Sequence, residues 1–172
     1  RYPLIYWGKR DNSIRSSKGL KSTDQNDDSE ISELLDYVPK NDFDIDLLGC
    51  YLYNAESEGY IEIYYDKIAS CASKISFDLD IDYEETRDLL QTIVLLHEIG
   101  HWYSHCCFSQ NRKHRMEFFL YQTKDIKETI AQLSVLWSTL GLSNKRIKDL
   151  HKIMNHLTKN QSRPYTHYLK LG

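Results

Sequence analysis

Leu95-Leu96-His97-Glu98-Ile99-Gly100-His101-Trp102 is the stretch on which the reading of this chain turns. It sets H-E-x-x-H inside an apolar run that begins at Thr92-Ile93-Val94. Residues four apart share one face of an α-helix, so His97 and His101 can turn their imidazoles toward a single metal ion. Glu98 stands about 100° round the helix from His97. From there it can reach a water on the ion's open side without being a ligand. Gly100 costs a helix about 1 kcal/mol relative to alanine, so its position is read as room for a close neighbour or a ligand. The alternative is two buried, hydrogen-bonded histidines beside a surface Glu.

Working outward, Asp82 with Glu85 three residues on forms a capping box that opens a long helix ending near His105 or Cys107. Its apolar positions Leu89, Leu90, Ile93, Val94, Leu96 and Ile99 cover much of its circumference, which predicts an interior helix. Upstream, Leu47–Asn54 and Tyr60–Tyr65 are β-rich runs joined by Ala55–Gly59, read as a hairpin. Asp66 is the expected N-cap of a helix over Lys67–Ser76. Downstream, the polar, basic residues 108–115 read as a loop. Asp125–Leu140 reads as an amphipathic helix with Ile126, Ile130, Leu133, Leu136 and Trp137 inward, stopped by Gly141. Ser143 is the expected cap of a last helix to about Thr158, with Ile147, Leu150, Ile153, Met154 and Leu157 inward. The aromatic tail Arg163–Tyr168 is expected to dock.

At the N-terminus, residues 1–8 are aromatic and apolar and read as an extended arm. Residues 9–30 carry Ser, Lys, Asn, Asp and Gln with almost no apolar side chains and read as a linker. A helix is expected over Ser29–Tyr37, ended by Pro39. The division is an arm and linker over 1–28 and one domain over 29–172. The fold class is α+β, mainly helical: a short hairpin or sheet above a long helix, then a helical C-terminal part.

His97-Glu98-Ile99-Gly100-His101-Trp102 resembles the zincin metallopeptidase signature, and Glu128-Thr129-Ile130-Ala131-Gln132 resembles the E-x-x-A-[NQ] segment of its gluzincin branch. With His105, the run H-E-x-x-H-x-x-x-H is similar to peptidases of the ImmA/IrrE type. The likeness spans residues 49–140. It implies a small zincin-like catalytic domain, Zn²⁺ as cofactor, Glu98 as general base and a protein or peptide substrate. It also implies that Tyr60–Tyr65 is the edge strand along which an extended substrate lies.

A catalytic zinc takes three protein ligands and keeps one position for water. The metzincin pattern, which wants His six residues after the second motif histidine, meets Cys107 and fails. His105 shares a face with His101 but lies about 12 Å along the axis from His97, too far for one ion. Glu117 has no supporting pattern. Glu128 is the ligand the resemblance implies, on a helix able to pack against the first. Its rival role is N3 of a capping box opened by Asp125, and a Glu bonded back to its own helix start cannot bind metal. Tyr103, Tyr165, His151 and His167 are candidates to stabilise a developing oxyanion. Asp125 and Gln132 are candidates to orient the histidine rings.

The chain has 172 residues, 41% hydrophobic and 27% charged, values ordinary for a globular domain with a sizeable core. A net charge of −3 argues against nucleic acid as the main partner. No apolar run reaches membrane-spanning length, and no charged start precedes an apolar core, so neither a membrane helix nor a signal peptide is expected. Cys50, Cys71, Cys106 and Cys107 match no disulfide framework or zinc knuckle, and reduced thiols fit a cytoplasmic protein. Two functions follow: a zinc peptidase, or a zinc-binding zincin fold without turnover that serves a regulatory protein partner.

Overall fold

Ile61 and Ile63 alternate with Glu62 along one strand, and both isoleucines are fully buried. That strand is the middle of the sheet. The computed structural model describes residues 4–8, 48–54, 57–106 and 119–170. The expected linker, the Ser29–Tyr37 helix, the 108–115 loop and Glu117 lie outside them. Strand β1 is Leu4–Gly8, β2 is Gly49–Asn54 and β3 is Ser57–Tyr64. Helices follow as α1 Tyr65–Leu79, α2 Tyr83–Cys106, α3 Lys124–Ser138, α4 Lys145–Asn160 and α5 Arg163–Thr166, with a 3-10 turn over His167–Lys170. The class is α+β and mainly helical, as expected.

The hairpin forms, with β2 antiparallel to β3 and Gly49 opposite Ile63. The arm is a strand too: β1 runs parallel to β3, pairing Leu4 with Tyr60 through Gly8 with Tyr64. Strand order is therefore β1-β3-β2. This corrects the expectation that Tyr60–Tyr65 is an edge strand. The N-terminal segment fills the position a bare hairpin would leave open, a pairing across more than fifty residues that local patterns do not reveal.

Helix α1 leaves β3 without a linker. Tyr64 stands at its N-cap with no side-chain cap, and Asp66 sits in the first turn, where its charge suits the positive helix end. Asp80, with φ 52°, ends it by donating its N–H to Ser76 O. Asp82 caps α2 as expected, its Oδ1 accepting the Glu85 N–H at 3.0 Å. Leu89, Leu90, Ile93 and Val94 of α2 are buried under the sheet and against α1 and α4. A Cβ at Gly49 would lie 2.7 Å from Val94 Cγ1, so β2 presses its backbone directly onto α2. Helix α4 is capped by Asn144, one residue after the expected Ser143, and buries Leu150, Ile153, Met154 and Leu157. Among the described residues no helix is long and apolar enough to cross a membrane.

Helix α3 reverses its expected face. Ile126 is 46% and Trp137 65% exposed, while Ile130, Leu133 and Leu136 are half-buried. The buried residues are Glu128, Thr129, Ala131, Gln132 and Val135. The cause is the contact with α2. A Cβ at Gly100 would meet Ala131 Cα at 2.7 Å and Ser134 Cβ at 2.9 Å, so only small side chains fit between these helices. Ser134 Oγ fastens the pair by donating to Leu96 O at 2.8 Å. Gly100→Ala should therefore destabilise the fold by about 1–3 kcal/mol through overpacking, more than the roughly 1 kcal/mol that alanine gives back to the helix. Urea unfolding reads the difference.

Candidate metal centre

One turn of α2 separates His97 from His101, and the close α2–α3 approach brings Glu128 against both. The Nε2 atoms of the two histidines are 3.2 Å apart. Glu128 Oε2 lies 3.1 Å from His97 Nε2 and 3.6 Å from His101 Nε2. The imidazole planes cross at 86°, so the two nitrogens converge on a point rather than stacking. Ligand atoms about 2.0–2.1 Å from a tetrahedral zinc stand roughly 3.3–3.4 Å from one another. The triangle has the dimensions of one face of such a site, and two imidazoles with one carboxylate are a donor set that zinc accepts. Among the described residues no other group of three His, Cys, Asp or Glu side chains is so arranged.

Burial sharpens the electrostatics. His97, Glu98, Glu128 and His101 are all buried. Burial by itself would raise the Glu128 carboxyl, but positive charge on His101 and His97 outweighs it and holds the group well below the ordinary carboxylate range. Glu98 is only 1% exposed, so it is not the surface Glu of the alternative reading. A carboxylate at that depth is costly unless charge nearby compensates it.

The rival role of Glu128 fails on geometry. Thr123, not Asp125, is the N-cap of α3, and its side chain accepts the Ile126 N–H. Asp125 is in the first turn and Glu128 is a full turn inside the helix. Gln132, one turn beyond Glu128 on the same buried face, donates its Nε2 to Gln161 Oε1 at 3.1 Å.

The remaining candidates are scattered. Tyr165 is fully buried, with its ring centroid 6.3 Å from that of His97 and Lys124 Nζ 5.3 Å over its ring. Tyr103 is 54% exposed and stands two residues past His101, on the opposite flank of α2. His151 shares a 2.8 Å hydrogen bond with Thr139 Oγ1. His167 is in the 3-10 turn, and its side chain is outside what the structure describes. Trp102 packs against the hydrophobic core.

His105 belongs to a second arrangement that sequence reading did not foresee. Its Nδ1 shares a 2.7 Å hydrogen bond with Tyr51 OH, and the rings of Tyr53 and Phe119 pack beside it. This buried pair ties β2 to the end of α2 nearest the triad. Alternating aromatics in Tyr51-Leu52-Tyr53 were the available signal. Tyr51→Phe should cost about 1 kcal/mol in thermal or urea unfolding while leaving bound metal unchanged.

No protein-family model, curated protein or solved structure matches the chain. Function is to be read from the triad and its surroundings.

Proposed function

We propose that this chain is a zinc-dependent metallopeptidase with a gluzincin-like, zincin-type domain, acting on a protein or peptide substrate. The observation that carries the reading is the convergence of His97, His101 and Glu128 from two helices, with buried Glu98 next in sequence to the first ligand. A zinc ion held by those three side chains would polarise the scissile carbonyl and bring the pKa of a bound water to about 7. Glu98 would take the proton from the attacking water and deliver it to the leaving amine. Gly100 serves the chemistry indirectly, because the close helix contact it permits is what places Glu128. Tyr165, whose buried ring lies 6.3 Å from that of His97, is the oxyanion candidate this reading uses.

Strand β2 replaces β3 as the candidate docking edge. Among the described residues it pairs only with β3, and Gly49 and Tyr51 hold it against α2. An extended peptide would add to its outer edge through main-chain hydrogen bonds.

Burial of the triad favours a second reading, a zinc-binding module without turnover that acts through a regulatory protein partner. A proteome-wide cleavage screen with wild type beside Glu98→Ala separates the two. Cleavage that depends on Glu98 supports the peptidase. Stoichiometric zinc with no Glu98-dependent cleavage supports the module.

A further inference from the structure

Helix α3 turns an apolar stripe away from the core. Ile126, Ile130, Leu133 and Trp137 succeed one another at intervals of four, three and four residues. The turn that follows, closed by the Leu140 N–H on Trp137 O at 3.3 Å, carries Leu140 three residues further along the same row. Alternating steps of four and three are the seam of one helix laid along another. Trp137, Leu140 and Leu142 are 65%, 79% and 54% exposed. The helix cannot roll to bury this row, because its other face carries Glu128 to the histidines and Ala131 to Gly100.

We propose that this row is a homodimer interface, in which α3 packs antiparallel against α3 of a second copy across a two-fold axis near Ile130 and Leu133. The spacing calls for a helical partner. The row and Leu142 together expose on the order of 500 Å² per copy, so a pair buries the roughly 1,000 Å² that a specific interface needs. The charge distribution sets the direction. Lys124, Asp125, Lys127 and Glu128 are the charged residues of α3, and Thr129–Ser138 carries none. Lys124 turns inward over the Tyr165 ring, so Lys127 is the lysine that flanks the row, and a parallel pair would set it against its own copy. An antiparallel pair brings Lys127 toward the uncharged, negative end of the facing helix. Trp137 is the aromatic anchor at each end.

Sedimentation of the full chain at micromolar concentration tests this, with wild type beside Trp137→Glu and Leu140→Glu. Wild type should sediment at twice the 20.4 kDa chain mass. Either variant should weaken association at least about 30-fold, with far-UV circular dichroism and zinc content unchanged. Should Trp137→Glu disturb the helix, Leu140→Glu, beyond its end, decides alone. A monomeric wild type, with the row then left for a different partner, would overturn the proposal, as would a dimer that both variants leave intact. The proposal does not depend on hydrolysis, and a dimer without peptidase activity leaves it standing.

Discussion

Glu98→Gln should retain its zinc and lose peptide hydrolysis by about 10²–10⁴-fold, the range by which a positioned general base accelerates proton transfer. The substitution keeps the shape of a side chain that is 1% exposed, so packing is nearly unchanged. It removes only the ability to take a proton at neutral pH. Glu98 is no member of the converging triad, so metal analysis of the variant should match wild type. Equal activity in wild type and variant would remove Glu98 from the mechanism. Loss of zinc together with activity would make it a ligand instead.

The second large effect is expected at Glu128. Glu128→Gln should lose most of the bound zinc, and its thermal midpoint should no longer respond to the metal. For the wild type, zinc bound at the triad as proposed, at about a hundredfold excess over its dissociation constant, would stabilise the fold by about 2.7 kcal/mol, or roughly 5–10 °C in Tm for a domain of this size. Adding chelator to wild type should lower Tm by that amount and leave the variant unmoved. Full zinc content in Glu128→Gln would refute its role. Acid should act through the rings rather than the carboxyl. The neighbouring imidazoles hold Glu128 ionised far below neutral pH, so acid should release zinc by protonating His97 and His101 before it reaches the carboxyl.

The parts of this fold that sequence revealed are those written in near neighbours. Asp82 and Glu85 announce the start of α2, and the apolar residues around His97 announce its burial, because both depend on contacts within a turn or two. The buried face of α3 departs from its apolar pattern for the complementary reason. Hydrophobic periodicity weighs side chains by transfer energy and would bury Ile126 and Trp137. The helix is instead oriented by the fit of Ala131 and Ser134 against Gly100, where smallness counts for more than apolarity. Gly100 reads in the sequence as making room, but nothing near it names Ala131 as the occupant. The same locality misled the cap of α3: Asp125 and Glu128 have capping-box spacing, yet Thr123 binds the Ile126 N–H first.

Parallel pairing of Leu4–Gly8 along β3 has a consequence for how the chain is handled. Without those five residues, the strand carrying Ile61 and Ile63 would present a bare row of amides and carbonyls to any extended chain it met. Such a surface templates aggregation. Trimming the first eight residues would therefore show itself first as lost solubility, well before any change at the helices that carry His97, His101 and Glu128.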